Sequence, residues 1–461
     1  ISGGKAYDVY AAVTGGGDAV GNTAQMSGGT VAYLGGAATD YGDGDDGSVI
    51  SNKVIMSDGK AQEVVGGEAF GTGTVETNCV TMSRGEAQNV YGGATYNSSA
   101  TGNYVEISGK AIVTGSGDNG YEEDGVKTTN KGVYGAISGD PKGDNEVTFG
   151  SLENNSVKSS GAAHISNAYG AYSFGGADVI GNSVELMGNA TVSGDVYGGY
   201  SKTGSVTGNT VKIGGNATVS GNVYGGTAPN TENEINLSGN ANVDNANLFG
   251  YDKKTSTVSF SRTLSQKAAS SGNTLTIKGW SGSVKQVKDF EKIKFGEIDL
   301  DNLPSNGTVL TITNLNNNDL ENTFIDAQGV KFKSGTEIKA GMALNFIASG
   351  NDQELYINDD NIEFGNFTAG VAQEGEGKLE LQDGKLIYTS TEVHASGQTH
   401  LVAENRAVAA AFVNQGSELI ADALDTLSRT DGYGVKTFAA VYGNHSKYDV
   451  NSDLKLSLIH I

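Results

Sequence analysis

Four aspartates fall close together in the stretch DYGDGDDGS, at Asp40, Asp43, Asp45 and Asp46. Clustered carboxylates in a glycine-containing segment offer the oxygen ligands that Ca²⁺ prefers. Their spacing does not complete a known calcium-binding loop. Two interpretations therefore stay open, a calcium site and a simple acidic turn, and no residue is assigned as a metal ligand.

Residues able to support hydrolysis or elimination are sparse. Serine proteolysis needs a nucleophile, an imidazole base and an orienting acid. However, His164 is the only histidine before residue 390, and no G-D-S-G or G-x-S-x-G stretch occurs. Lyase-type cleavage of acidic sugars needs Arg, Lys or calcium beside the sugar carboxylate, and Arg84 and Arg262 are the only arginines before residue 390. The sequence therefore predicts no catalytic residue and no cofactor.

Acidic side chains are abundant, with 53 Asp and Glu against 30 Lys and Arg and a net charge of −23. Carboxylate pairs that would hydrolyse a glycosidic bond thus remain an alternative to a merely solvated acidic face. The charge argues against a nucleic-acid partner, which needs a basic surface. The single cysteine, Cys79, cannot form an internal disulfide.

The sequence up to about residue 250 is built from a repeated unit. GNSVELMGNATVSGDVYGG at 181–199 and GNTVKIGGNATVSGNVYGG at 208–226 are identical at 14 of 19 positions and lie 27 residues apart. Each copy ends in V-Y-G-G or a degenerate form of it. The second residues of these tetrads are Tyr10, Leu34, Val65, Tyr91, Tyr134, Tyr169, Tyr197, Tyr224 and Phe249. A second landmark, Asn-x-Val-x-aliphatic or a close variant, begins at Asn52, Asn78, Asn103, Asn182, Asn209, Asn233 and Asn273.

Within a repeat, small and aliphatic residues alternate with polar ones, the pattern of a strand with one buried face. Glycines inside the alternation mark tight bends. A unit of about 26 residues cannot bury its inner face alone but can do so against identical neighbours. In the copy at 181–199, the residues expected to face inward are Val184, Leu186, Gly188, Ala190, Val192, Gly194 and Val196.

The sequence therefore predicts an all-β fold, a β-solenoid and most simply a parallel β-helix of about 26-residue coils. Val184 should lie directly above or below Val211, and Tyr197 beside Tyr224. The alternative is a β-sandwich or barrel of ordinary hairpins, because regular strands with turn signals fit it too. Near-identity between copies favours stacked equivalent units.

The pattern changes twice beyond residue 250. Residues 251–390 keep alternating runs such as GTVLTITNL but lose V-Y-G-G, which predicts less regular coils and a cap over the open sheet edge. The stretch 398–429 has no proline and many helix-forming residues, which predicts one continuous helix. Arg429 in its last turn and Gly432 just beyond it are stop signals.

After the helix, GVKTFAAVYGNHSKYDVNSDLK at 434–455 opens with an alternating strand. The order of repetitive solenoid, less regular cap, long polar helix and this strand resembles the monomeric autotransporters of diderm bacteria. The resemblance covers the whole chain in layout and is most specific at 405–453. In that family an N-terminal passenger is exported with the help of a C-terminal outer-membrane barrel, and the helix links the two.

The resemblance implies four regions. Residues 1–250 would be the repetitive passenger, 251–390 an autochaperone-like cap, 391–431 a linker and pore helix, and 432–461 the start of the barrel. The tail LSLIHI lacks the alternation expected of a second barrel strand. Because a barrel must close to be stable in lipid, the chain is expected to be truncated at both ends.

The same resemblance, with the scarcity of catalytic residues, implies a non-enzymatic protein at the cell surface or outer membrane. It would act as an adhesin or a self-associating stalk through a repeated polar surface. Its partners would be a glycan or protein of a host or neighbouring cell, or a second copy, and the outer membrane through the barrel. The alternative is a lyase- or glycosidase-like enzyme that degrades surface polysaccharides. Basic side chains and carboxylates converging on one groove would favour the enzyme.

Overall fold

Parallel pairing between successive repeats dominates the structure, a computed structural model that describes residues 1–39, 47–96, 98–115, 132–139, 150–229, 231–252, 272–316, 318–333, 337–351, 353–428, 442–449 and 453–460. The described residues are mostly β, with one long helix near the C-terminal end. Their strands form one large mixed sheet, one smaller parallel sheet and one two-stranded sheet.

The large sheet begins with long strands and continues with short ones. Its strands up to residue 252 are Ser2–Thr14, Thr23–Thr39, Lys53–Ala69, Cys79–Met82, Glu86–Thr95, Tyr104–Ile107, Ile112–Val113, Val133–Ser138, Ser156–Ser159, His164–Ile165, Ala168–Ser173, Ser183–Leu186, Thr191–Val192, Val196–Tyr197, Tyr200–Ser201, Thr210–Ile213, Thr218–Val219, Val223–Gly226, Glu234–Ser238 and Asn247–Tyr251. The smaller sheet consists of Ala19–Val20, Val49–Ile50, Val75–Glu76, Ala100–Thr101, Leu152–Glu153, Val179–Ile180 and Val206–Thr207.

Every described pairing between strands in 1–252 is parallel and joins one repeat to the next. Val184 pairs with Val211, and Tyr197 pairs with Tyr224, as the repeat predicts. Hairpins would have given antiparallel pairs, so the hairpin sandwich is wrong for the described part of this region. Inward aliphatic side chains such as Val184 are fully buried in one core that continues from repeat to repeat.

Two details of the predicted pattern are wrong. Gly188 is exposed and has a φ of 64°, so the chain turns there and the strict alternation of inward residues breaks. The second correction concerns register, because Gly35 rather than Leu34 pairs with Tyr10 on one side and Val65 on the other. The ring of Tyr10 occupies the space in which a side chain at position 35 would lie.

Close packing requires the glycine that follows the tyrosine in the V-Y-G-G tetrads and their near copies. A Cβ on Gly198 would lie 2.6 Å from the carbonyl oxygen of Gly225 in the next repeat, and one on Gly170 would lie 2.2 Å from that of Gly198. Successive backbones therefore meet at this bend without room for a side chain. The bend turns the chain from the main core toward the smaller sheet.

A buried row of asparagines runs along the repeats at the Asn-x-Val landmark. Asn182 is fully buried, and both its backbone N–H and its Nδ2 donate to Oδ1 of Asn209, at 2.8 and 3.0 Å. Its Nδ2 also donates to the carbonyl of Leu152, at 2.9 Å, in the smaller sheet. Each amide thus satisfies backbone groups that the bend leaves without a sheet partner. The row begins with the half-buried Asn22 and continues through the buried Asn52, Asn78, Asn103, Asn155, Asn182, Asn209, Asn233 and Asn273.

Beyond residue 271 the parallel ladders continue and then end in antiparallel strands. The strand Lys385–Ala395 runs antiparallel to both Ala343–Ser349 and Gln373–Gln382. The remaining strands of the large sheet are Thr274–Lys278, Gly282–Val284, Gln286–Lys288, Lys292–Asp299, Thr308–Ile312, Phe324–Ala327, Lys331–Lys333, Ile362–Phe364 and Phe367–Ala369. Two short 3₁₀ helices lie at Leu300–Asn302 and Asp359–Asn361.

Helix α1 spans Gly397–Ser428 without interruption, close to the predicted 398–429. Ser396 precedes it and accepts a hydrogen bond from the backbone N–H of Thr399, which caps the first turn. Apolar side chains such as Phe412 and Leu424 are more than half exposed. Within the described part of the chain, no helix combines the length and the apolar composition that crossing a bilayer takes.

The strands Tyr442–Asp449 and Asp453–His460 pair antiparallel. Residues 456–460 of the tail LSLIHI lie in the second of these strands, because backbone pairing defines a strand whether or not its side chains alternate. The predicted strand start at 434–441, together with Arg429 and Gly432, lies outside the described residues.

Candidate binding surfaces

Charged side chains alternate in sign along one outward row. Glu106, Lys158, Glu185 and Lys212 occupy equivalent positions in four consecutive repeats and are paired in register. Lys158 Nζ lies 4.0 Å from a carboxylate oxygen of Glu185. Their backbones are about 4.8 Å apart. The row therefore presents alternating charge at a regular spacing to the solvent.

A second outward row is made of exposed amides. Asn216 Nδ2 donates to Asn189 Oδ1 at 3.1 Å, and Asn240 Nδ2 donates to Asn216 Oδ1 at 3.3 Å. His164 belongs to a comparable row, with its Nδ1 at 2.6 Å from the hydroxyl of Thr191 one repeat further on. The histidine is thus an exposed member of a polar row.

The other residues considered for chemistry are dispersed. Arg84 is exposed, and Cys79 is buried and free. Asp40, Asp43, Asp45, Asp46 and Arg262 lie outside the described residues, so the calcium interpretation stays a prediction. Among the residues that the structure describes, no group of three or more His, Cys, Asp or Glu side chains is arranged to hold a metal ion.

Aromatic rings form a continuous stack beside the bend of the tetrads. We call it the tyrosine stack, and its members are Tyr91, Tyr134, Tyr169, Tyr197, Tyr224 and Phe249. Neighbouring ring centroids are 4.4 to 5.3 Å apart, the lower value between Tyr197 and Tyr224. The rings of Tyr134 and Tyr169 are almost parallel, with an interplanar angle of 7°. The stack is a hydrophobic cluster distinct from the main core.

A second row lies next to the tyrosine stack, three residues later in each repeat. We call it the flanking row, and it contains Glu68, Ala94, Ile137, Tyr172 and Tyr200. In the central repeats Tyr172 and Tyr200 stack on each other at 4.4 Å and meet the tyrosine stack edge-on. The two rows run side by side and form a groove along the repeats. The bulky rings of Tyr172 and Tyr200 fill this groove at its centre.

At the N-terminal end of this groove a cavity of about 90 Å³ opens, which we call the anionic cavity. The aromatic rings of Tyr33, Tyr91, Tyr96 and Phe174 line it together with the carboxylates of Glu63 and Glu68. Glu68 is only 8% exposed, and its Oε2 accepts a 2.5 Å hydrogen bond from the hydroxyl of Tyr33. Small side chains of the flanking row, such as Ala94, leave room there that tyrosines occupy elsewhere.

Burial controls the ionisation of both partners in that hydrogen bond. Desolvation raises the pKa of Glu68 to about 7, and the hydrogen bond from Tyr33 opposes the shift. Burial also raises the pKa of Tyr33 well above its ordinary value, and the neighbouring charge of Glu68 adds to the effect. Burial therefore moves the ionisation of Glu68 toward neutral pH, while Tyr33 stays neutral.

A larger cavity of about 470 Å³, which we call the mixed-charge cavity, lies at the C-terminal end of the tyrosine stack. Tyr224 and Phe249 contribute apolar surface, and Asp252 is buried on its wall. Lys288 Nζ forms a 3.2 Å ion pair with Asp319 across the lining. The volume is in the range of ordinary small-molecule sites.

Sequence reasoning found the tetrad tyrosines but missed both cavities. The available signal was the residue three positions after the second residue of each tetrad, taken in the observed register, which reads Val13, Ala38, Glu68, Ala94, Ile137, Tyr172, Tyr200, Thr227 and Asp252 along the chain. The two carboxylates of that series mark the places where rings do not fill the groove. No protein-family model, curated protein or solved structure matches the chain.

Proposed function

We propose that residues 1–252 form a parallel β-helix in which each repeat is one coil. Support comes from the parallel ladders, the shared core and the asparagine row, all of which connect a repeat only to its neighbours along the chain. This architecture presents its function on surfaces outside the main core, since the inward side chains of the described repeats are buried against one another.

We propose further that the protein is a non-catalytic adhesin or self-associating stalk displayed at a cell surface. The observation that supports this role best is the outward row of alternating charge, Glu106, Lys158, Glu185 and Lys212. The location rests on the resemblance to autotransporter passengers. The partner would be a glycan or protein on a host or neighbouring cell, or a second copy of the chain.

Repetition explains how weak contacts would add up to adhesion. A single exposed ion pair contributes about 0.2 to 1 kcal/mol, which is too little to hold two surfaces together. Several equivalent contacts at one regular spacing act together, because each one made raises the effective concentration of the next. A second copy offset by one repeat would place acidic residues of its row opposite Lys158 and Lys212.

The experiment is attachment and aggregation of cells that display the protein. Replacing Lys158 and Lys212 together by Glu makes the row wholly acidic and should lower aggregation about tenfold. Replacing the exposed Lys331 and Lys339 by Glu changes the net charge equally but leaves the row intact, and should change aggregation less than twofold. Equal loss in both variants would leave only a general charge effect and overturn the proposal.

Single substitutions give a second test of the same role. His164→Ala and Arg84→Ala should each change attachment less than about twofold, because the interaction is distributed over many contacts. A catalytic site responds oppositely, with losses of about 10² to 10⁴ from one acid or base. One such substitution that abolishes attachment would contradict a distributed surface.

Polysaccharide cleavage is a second candidate because of the mixed-charge cavity. There Asp252, Asp289 and the Lys288–Asp319 pair converge beside aromatic rings, as a sugar-cleaving site would need. Incubation with acidic and neutral polysaccharides, followed by a reducing-end assay, tests it. Cleavage that Asp252→Asn abolishes would favour the enzyme over the adhesin.

A further inference from the structure

The anionic cavity differs from the mixed-charge cavity in the sign of its lining. Of the described residues that line it, none is basic, whereas two are carboxylates and four are aromatic. Aromatic ring faces carry partial negative charge, so rings and carboxylates act in the same direction. The electrostatic field within this cavity therefore favours a positively charged occupant.

The described residues that line the cavity around Glu68 are neutral or acidic. Glu63 approaches it from the same strand, Lys53–Ala69, and raises its pKa. Tyr33 faces it from Thr23–Thr39, and Tyr91 from Glu86–Thr95, with Tyr96 just beyond. A carboxylate buried to this degree is costly to ionise unless a cation compensates it.

We propose that the anionic cavity binds a small organic cation, an alkylammonium or guanidinium head group, between its aromatic rings with Glu68 as the counter-ion. The volume of about 90 Å³ suits such a head group and is well below the roughly 300 Å³ at which sites for larger ligands begin. This site is separate from the outward charge row and does not depend on adhesion. The head group can come from a free amine or from a lysine or arginine side chain of a partner, which share this chemistry.

Binding is linked to the ionisation of Glu68. The cation stabilises the ionised carboxylate, so it binds tightly above the pKa of that group and weakly below it. With a pKa of about 7, affinity should rise about tenfold between about pH 6 and about pH 8. Among the described lining residues Glu63 is the other acidic group, and the tyrosines stay neutral over this range.

The test is isothermal titration of the full chain with choline and with methylguanidinium, at about pH 8. At least one should bind with a dissociation constant at or below about 1 mM. The uncharged dimethylbutanol in which carbon replaces the choline nitrogen has the same shape and should bind at least about tenfold more weakly. N-acetyl-lysine amide distinguishes the sources, because a site for a partner's side chain accepts it and a site for a free amine does not.

Two matched variants complete the experiment. Glu68→Gln keeps the shape and the acceptor for Tyr33 and should lower affinity about tenfold or more, while removing most of its pH dependence. Glu153→Gln makes the same chemical change in the smaller sheet, outside the cavity, and should leave affinity unchanged. The proposal is overturned if neither cation binds, if the uncharged isostere binds equally well, or if Glu68→Gln binds as the unsubstituted protein does.

Discussion

The hydroxyl of Tyr197 donates a 3.2 Å hydrogen bond to Oδ2 of Asp252, 55 residues further along the chain. Tyr33 makes the same kind of bond to Glu68 at the opposite end of the groove. A phenol thus partners a buried carboxylate at each end of the aromatic cluster. These bonds supply a donor to carboxylates that would otherwise be costly to bury.

Tyr197→Phe tests the Asp252 bond, because it removes one hydroxyl and keeps the stacked ring. The free energy of unfolding should fall by about 1 to 3 kcal/mol, the range for hydrogen bonds to charged groups. Urea unfolding followed by circular dichroism measures it. Tyr169→Phe, in the same stack, should change stability by less than about 0.5 kcal/mol. Equal effects of the two substitutions would contradict a specific role for Asp252.

The asparagine row gives a second prediction about stability. Asn182→Ala removes an amide that accepts two hydrogen bonds from Asn155 and donates to Leu152 and Asn209. Unfolding free energy should fall by about 2 to 4 kcal/mol, because buried backbone and side-chain donors lose their acceptor.

Asn189→Ala is the matched control, since this asparagine is exposed and its row is solvated. Its effect should stay within about 0.5 kcal/mol. Urea midpoints of the two variants compare them directly. A small effect of Asn182→Ala would mean that water replaces the amide at the bend.

The raised pKa of the Glu68 carboxyl predicts that stability depends on pH in an unusual direction. The pKa of Glu68 rises from its ordinary value of 4.5, which applies in the unfolded chain, to about 7 in the folded protein. The folded state therefore holds the carboxyl proton more tightly than the unfolded state does. The contribution to stability is full below about pH 4.5 and is lost as the pH rises toward about 7. The loss amounts to up to about 3 kcal/mol, at 1.36 kcal/mol per pKa unit.

Comparison with Glu68→Gln isolates this effect from the other carboxylates. Glutamine does not titrate, so the difference in unfolding free energy between the variant and the unsubstituted protein should grow in favour of the variant between about pH 5 and about pH 7. Thermal or urea unfolding across that range measures it, without added amines. A constant difference would show that Glu68 keeps its ordinary pKa.

The repeat allowed the parallel pairing to be predicted because stacked equivalent strands require near-identical inward residues. Register followed directly, as Val184 and Val211 show. The error at Leu34 arose where the tetrad is degenerate, since A-Y-L-G-G offers two residues for one position and only packing against Tyr10 selects Gly35. Local sequence cannot resolve a shift of one residue when both alternatives are apolar or small.

The candidate site was harder to predict for a different reason. Its carboxylates, Glu68 and Asp252, interrupt a row whose other members are apolar, aromatic or neutral, and Ala38 precedes Glu68 in that row. Single residues carry no periodic signal. The partner of each is a tyrosine distant in sequence, whose position depends on how many residues each repeat inserts. The asparagine landmark was visible, but its role as a buried amide row follows only from the bend of the chain.

Excision of one repeat tests the proposed coil architecture. Removing residues 197–223 joins Val196 to Tyr224, and these two are already equivalent to Val223 and Tyr197 in the ladders. Asn182 would then meet Asn233, and Val184 would meet Ile235, so each inward side chain keeps an inward neighbour. The shortened protein should fold, with the circular dichroism of β structure and only a modest drop in urea midpoint, because a linear stack loses one unit and one interface.

Removing 197–210 instead takes out about half a repeat and places inward residues opposite outward ones, so it should abolish cooperative unfolding. If both deletions unfolded the protein equally, the repeats would not be interchangeable coils.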